Sequence, residues 1–158
     1  MKIPNVDLSS SNAGKRWNEG QLSGVSATEP NDWLKSIALP NGLENLEKFA
    51  FRYCSSLESV KLPNTLTYIG LSAFEGDINL KDIVIPKSVG YIDKYAFGGC
   101  TLENLELLGP VGNLKDNPYA FAHSSIQNVT FDPVILDRIY NHFKKCQLSQ
   151  MTIKVRSN

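Results

Sequence analysis

LESVKLPNTLTYIGLSAFEGDIN, residues 57–79, is the unit from which most of this 158-residue chain is built. Its apolar residues fall at Leu57, Val60, Leu62, Leu66, Ile69, Ala73 and Phe74, with Pro63 directly after the first cluster. Moved 23 residues back, the template lands on Leu34, Ile37, Leu39, Pro40, Leu43, Leu46, Ala50 and Phe51. Moved 23 forward, it lands on Leu80, Ile83, Ile85, Pro86, Val89, Ile92, Ala96 and Phe97. Agreement at so many positions with one fixed period is the mark of stacked repeats, each burying its apolar face against its neighbours.

Looser copies follow in register. One keeps Leu102, Leu105, Leu107, Leu114, Ala120 and Phe121, lengthened around Gly109 to Asn117; the next keeps Ile126, Val129, Phe131, Ile135, Ile139 and Phe143. Leu148, Met151 and Ile153 supply a last half-copy, so the repeats start at 34, 57, 80, 102, 126 and 148. The unit, L-x-x-[IV]-x-[LI]-P-x-x-[LV]-x-x-I followed by A-F-x-x-C, resembles the BspA-like class of leucine-rich repeats over about residues 34 to 153. That resemblance implies an α/β repeat solenoid. Its stack would be right-handed, with a parallel sheet on one face and short helical or 3₁₀ turns or extended segments on the other. It also implies a cell-surface or secreted bacterial protein that adheres to host matrix or plasma proteins, or to other cells.

Within each regular repeat the opening residues, such as Ser59-Val60-Lys61-Leu62, alternate polar and apolar, which predicts a short half-buried strand. Pro40, Pro63 and Pro86 end those strands, because proline has no N–H for the ladder. A second extended piece is expected around Leu46, Ile69 and Ile92, and a compact helical or 3₁₀ turn at each Ala-Phe pair. Residues 1–33 read as a divergent first repeat that caps the stack, with Ile3, Val6 and Leu8 at strand spacing; residues 34–158 form the solenoid proper, in one domain. Trp17 and Trp33 are read as covers for the hydrophobic end of that first turn. Near the other end, Asp132-Pro133 followed by Ile135, Ile139 and Phe143 predicts an α-helix over 133–145, capped by Asp and opened by Pro. Lys144 and Lys145 suit its C-terminus.

Sixteen basic and sixteen acidic residues give zero net charge, with no basic block of the kind that holds nucleic acid. No apolar run approaches a membrane span. The opening MKIPNVDLSSSN has no apolar core of signal-peptide type; it reads as a strand entering mid-fold, in a fragment of a longer surface protein. Cys54, Cys100 and Cys146 are spaced by 46 residues, two repeats each time. Equivalent strand positions two repeats apart lie roughly 9.6 Å apart, beyond disulfide reach. They are read as small buried fillers that do not report the compartment.

No catalytic constellation emerges, and the chain is read as non-enzymatic, without metal or other cofactor. His123 and His142 have no ligand at metal spacing, and there is no C-x-x-C pair. Gly98-Gly99 lacks the lysine of a phosphate loop, and GQLSG at 20–24 misses the nucleophile-elbow pattern. Asn128-Val129-Thr130 matches a glycosylation sequon but falls in a predicted strand.

What remains is surface. Positions flanking the buried strand residues form two outward rows: Ser36, Ser59, Asp82, Asn104, Asn128 and Gln150, then Ala38, Lys61, Val84, Glu106, Thr130 and Thr152. Singly these are solvated strand positions; together they make an extended face suited to a protein or glycan partner. Tyr68 and Tyr91 occupy equivalent positions and should form an aromatic ladder on another face, as a hot spot or as cross-strand packing. The alternative to a recognition module is a structural spacer that self-associates through exposed strand edges at its ends.

Overall fold

In the computed structural model, described over residues 3–10, 14, 16–17, 22–24, 26–112, 117, 119–131, 143 and 152–155, each repeat is one coil with three sides. The first side is a seven-stranded parallel sheet. Its strands are β1 (Asn5–Asp7), β3 (Ser36–Ala38), β5 (Ser59–Lys61), β7 (Asp82–Ile85), β9 (Thr101–Leu107), β10 (Ser125–Phe131) and β11 (Thr152–Val155), in that spatial order. The second side is a four-stranded parallel sheet of two-residue strands, β2 (Arg16–Trp17), β4 (Asn45–Leu46), β6 (Tyr68–Ile69) and β8 (Tyr91–Ile92). Both sheets follow from the alternation already seen: Ile37, Ile83, Leu105 and Val129 point inward from the first, and Leu46, Ile69 and Ile92 from the second.

The third side departs from expectation. Where compact helical or 3₁₀ turns were expected at Ala-Phe, the chain makes stacked β-turns, and no α-helix occurs among the described residues. The α/β description therefore gives way to a β-solenoid with a parallel sheet. The cause lies in the backbone. Phe49, Ser72 and Tyr95, each just before the Ala, have φ of 60°, 52° and 55°, and Tyr53, Gly76, Gly99 and His123, two residues after the Phe, have 57°, 79°, 68° and 61°. Left-handed residues break an i→i−4 ladder. Alternate N–H groups instead reach the next coil: Phe49 to Leu71 O (2.9 Å), Phe51 to Ala73 O (2.8 Å) and Tyr53 to Glu75 O (2.8 Å). Buried backbone groups are thereby paired between coils.

This bonding fixes the coil spacing, and the interior rings obey it. Phe51, Phe74, Phe97 and Phe121 stack face to face with centroids 5.3, 5.1 and 5.0 Å apart and planes within 10°. Phe143 continues the column 5.6 Å from Phe121, tilted by 46°. Such aromatic pairs each contribute about 0.5–1.5 kcal/mol beyond the area they bury. Leu34, Leu57, Leu80 and Leu102, the leading residues of the repeats, are fully buried beside them.

The N-terminal segment follows the same three-sided path. β1 pairs with β3, setting Val6 opposite Ile37; β2 pairs with β4; and Leu22 and Gly24 donate to the carbonyls of Ala50 and Arg52 on the turn side. Buried Asn31 closes this coil, donating to Leu22 O and accepting from the N–H groups of Trp33 and Leu34. Trp33 is half-buried against the core. The helix expected over 133–145 lies outside the described residues, apart from Phe143.

One register differs from the template. The half-copy starting at Leu148 would place Thr152 in the second outward row, beside Thr130. Instead β11 pairs Thr152 with Asn128 and Ile153 with Val129, so Thr152 extends the first row and Lys154 the second. The slip is two residues, which keeps the same faces in and out and so leaves the hydrophobic pattern unable to detect it.

Candidate recognition surface

The first outward row is continuous across the seven-stranded sheet. Pairings run Asn5–Ser36–Ser59–Asp82–Asn104–Asn128–Thr152 along the first row. Asp7, Ala38 and Lys61 continue one another in the second, as do Val84, Glu106, Thr130 and Lys154. All the expected row residues therefore lie on one face, except Gln150, which falls outside the described residues. Asn5, Asp7 and Lys154 were not named from sequence. The spacing of Ile3, Val6 and Leu8 would have found the first two, since they alternate with those residues.

The two rows differ in chemistry. The first is a hydrogen-bonded ladder: Ser36 Oγ donates to Asn5 Oδ1 (2.7 Å), Asn104 Nδ2 to Asp82 Oδ1 (2.6 Å), and Asn128 Nδ2 to Asn104 Oδ1 (3.1 Å). Asn128 also donates to Glu103 O, so the side chain of the sequon is engaged within the sheet. The second row carries the larger exposed groups, Lys61 and Val84, the latter 44% exposed. Small side chains at Ser36, Ala38 and Ser59 leave a shallow hollow of about 360 Å³ at the β1–β3–β5 end, edged by Asn5, Asp7 and Lys61. The Ser9 hydroxyl and then its backbone N–H hold the Asp7 carboxyl below its usual range, with Lys61 adding a smaller pull. The hollow is thus bordered by one anion and one cation.

Tyr68 and Tyr91 lie on the second sheet, on another side from these rows, with rings stacked 5.5 Å apart at 21°. Tyr68 Oη donates to Asp93 Oδ2 (3.0 Å). Loss of hydration, and then this bond to a carboxylate, push the Tyr68 phenol up to about 12. Tyr91 is 43% exposed and forms the open end of the pair.

Cys54 and Cys100 are buried free thiols, and burial pushes both upward from the ordinary thiol range. They are more than fillers: Cys54 Sγ donates to Leu22 O and Cys100 Sγ to Phe74 O. Cys146 lies outside the described residues. Between the two thiols, at the equivalent position of the intervening repeat, sits Asp77, wholly buried. Its Oδ1 accepts from Cys54 N (2.8 Å), while Oδ2 has no hydrogen-bond partner. Burial raises this carboxyl well above its usual range. The sequence carried the signal, as Asp77 stands 23 residues from each cysteine. Among the described residues no group of three or more His, Cys, Asp or Glu side chains is placed to hold a metal ion. Nor is any helix among them long and apolar enough to cross a membrane.

Comparison with known proteins agrees with this architecture. Among solved structures, a leucine rich cell surface protein from Faecalibacterium prausnitzii A2-165 superposes with a TM-score of 0.63 at 20% identity, over 99% of this chain and 33% of that one. The pneumococcal vaccine antigen PcpA superposes with a TM-score of 0.56 at 20% identity, over 95% of this chain and 43% of that one. The chain therefore spans less than half the length of either structure, and at such identity the likeness speaks to the fold. No curated protein matches the chain in sequence. The family profile for the BspA type leucine rich repeat region matches residues 31–119 and 117–158, with six copies. With a parallel coil, an Ala-Phe turn and a repeat profile covering most of its length, this chain belongs to the BspA-type leucine-rich-repeat family.

Proposed function

We propose that this chain is a non-enzymatic protein-binding module of a cell-surface or secreted protein, and that it meets its partner on the outer face of the seven-stranded sheet. The observation that carries the reading is the second row, in which Asp7, Lys61, Val84, Thr130 and Lys154 present mixed charge and one exposed apolar group on the face of one parallel sheet. Because the backbone beneath them is held in a paired sheet, association needs to order only the side chains. Mixed charge at zero net charge favours shape and hydrogen bonding over long-range steering. The name of one structural neighbour, a leucine rich cell surface protein, supports a place at the cell surface; host matrix or plasma proteins as partners follow from the family resemblance.

The test is binding of the purified chain to immobilised fibronectin, fibrinogen and other matrix and plasma proteins, beside a Lys61→Glu, Glu106→Lys double variant of unchanged fold. Binding lost in the variant supports recognition by the strand face. Binding retained at full strength removes the face from consideration. A second reading, self-association of a spacer, is favoured by β11, in which the apolar Ile153 and Val155 are 41% and 49% exposed. Concentration-dependent sedimentation without binding to any of these proteins would support it.

A further inference from the structure

The turn side of the solenoid carries a groove that neither sheet accounts for. Its origin is the left-handed position two residues after each core Phe, occupied in successive coils by Tyr53, Gly76, Gly99 and His123. The outer two coils have rings there and the inner two have none. A Cβ built at Gly76 would fall 2.5 Å from Tyr53 Cδ1, so the Tyr53 ring already lies over Gly76. A Cβ at Gly99 would meet nothing closer than 4.0 Å. The open slot therefore stands over Gly99, between the Tyr53 wall and His123, with Tyr95 along its side; its volume is about 290 Å³.

Three features define what fits. The slot is at the small end of ligand pockets, a space for one or two rings. Glu75, the carboxylate in its lining, is paired with Arg52 at 2.8 Å, so the slot presents no unpaired carboxylate to draw a cation and favours a neutral ligand. The floor offers no main-chain donors: Gly76 N donates to Gly98 O, Gly98 N to Tyr95 O and Gly99 N to Ala122 O. A peptide adding as a strand needs such groups. What remains available are aromatic surfaces with polar tips. Tyr95 is exposed, and neither its hydroxyl nor the His123 imidazole is engaged in a hydrogen bond among the described residues. Aromatic bodies with free polar edges suit a ligand that is apolar on one face and hydroxylated at its rim. We propose that this slot binds a neutral sugar unit of a glycan, its C–H face against Tyr95 and His123 and its hydroxyls at the Tyr95 and His123 edges.

The experiment is saturation-transfer NMR and titration of the intact chain with lactose, maltose and N,N′-diacetylchitobiose, with hexaproline as the peptide control. Gly99→Asn fills the slot with a residue that tolerates a left-handed backbone, and His123→Asn removes the ring at another such position. Thermal unfolding checks that each variant folds, and either one suffices if the other does not. The expected result is transfer to ring protons of at least one disaccharide. Its affinity should fall by about tenfold or more in a folded variant, the change that a loss of about 1.4 kcal/mol produces. Absence of transfer to all three sugars overturns the proposal. So does sugar binding unchanged in a folded variant, and so does hexaproline binding that the sugars do not share.

Discussion

Two aspartates five residues apart show how one repeat pattern assigns opposite fates. Asp82 lies on the exposed first row, where Asn104 Nδ2 donates to it at the edge of solvent. Asp77 lies in the buried column Cys54–Asp77–Cys100–Ser124, with one oxygen held by Cys54 N and the other unpartnered. From Ser36 and from Cys54 onward, both columns advance by 22 to 24 residues per step. Outside the coil, a change of side chain costs little, because water replaces whatever bond is lost. Inside, burial disfavours the charged form of a carboxylate, which there has neither water nor a cation beside it. Periodicity decides that a position recurs; burial decides what recurrence costs.

The strongest way to sharpen this contrast is to empty the interior beside Asp77. Phe74→Ala removes the ring between Phe51 and Phe97, and should destabilise the chain by about 3–5 kcal/mol in denaturant unfolding. A loss under 1 kcal/mol would mean that the ring column is not a supporting element. Next comes Gly70→Ala. The added methyl would lie 2.7 Å from backbone atoms of Glu47 and Lys48 in the neighbouring coil, and should cost about 1–3 kcal/mol.

Asp77→Asn tests the buried carboxyl directly. The folded state raises this group, so between the ordinary carboxyl range and the raised value the folded chain keeps a proton that the unfolded chain has lost. Its contribution is therefore fully present in acid and declines as pH rises, with a slope of at most about 1.4 kcal/mol per pH unit. The Asn variant keeps the acceptor for Cys54 N and should lose that slope, ending more stable than the parent at neutral pH. Equal slopes in unfolding measured from pH 4 to pH 8 would show that Asp77 does not govern the decline.

The smallest effect belongs to the outer row. Asn104→Ala breaks bonds to Asp82 and from Asn128 on an exposed face, and should change stability by about 0.5 kcal/mol or less. A loss of several kcal/mol would make the outer ladder as structural as the inner column, and would erase the distinction drawn above.

Much of this arrangement was legible in the chain. Leu57, Ile69 and Phe74 and their equivalents were assigned to the core from spacing, and those among the described residues are buried. The second extended piece and the Tyr68–Tyr91 pair follow from the same template. The turn side was misread because Ala-Phe with flanking polar residues satisfies a helical pattern as well as a stacked turn. The left-handed residues that decide between them include Phe49, Tyr53, Tyr95 and His123, none of which announces a positive φ as glycine does. Thr152 was misplaced because a slip of two residues preserves alternation. The Gly99 slot escaped because it depends on Tyr53 lying over Gly76 and on nothing lying over Gly99, a difference between neighbours that a repeat template averages away.

By itself the sequence determined that this protein is a stack of coils with about 23 residues each, which residues face inward, and that two outward rows share one sheet. Those are consequences of periodicity, and periodicity is local. Only the tertiary structure decided the turn geometry, the register of β11, the burial of Asp77 between two thiols and the open slot over Gly99. Each of these depends on which atoms of the adjacent coil come within a few ångströms, and that is set by stacking rather than by spacing along the chain.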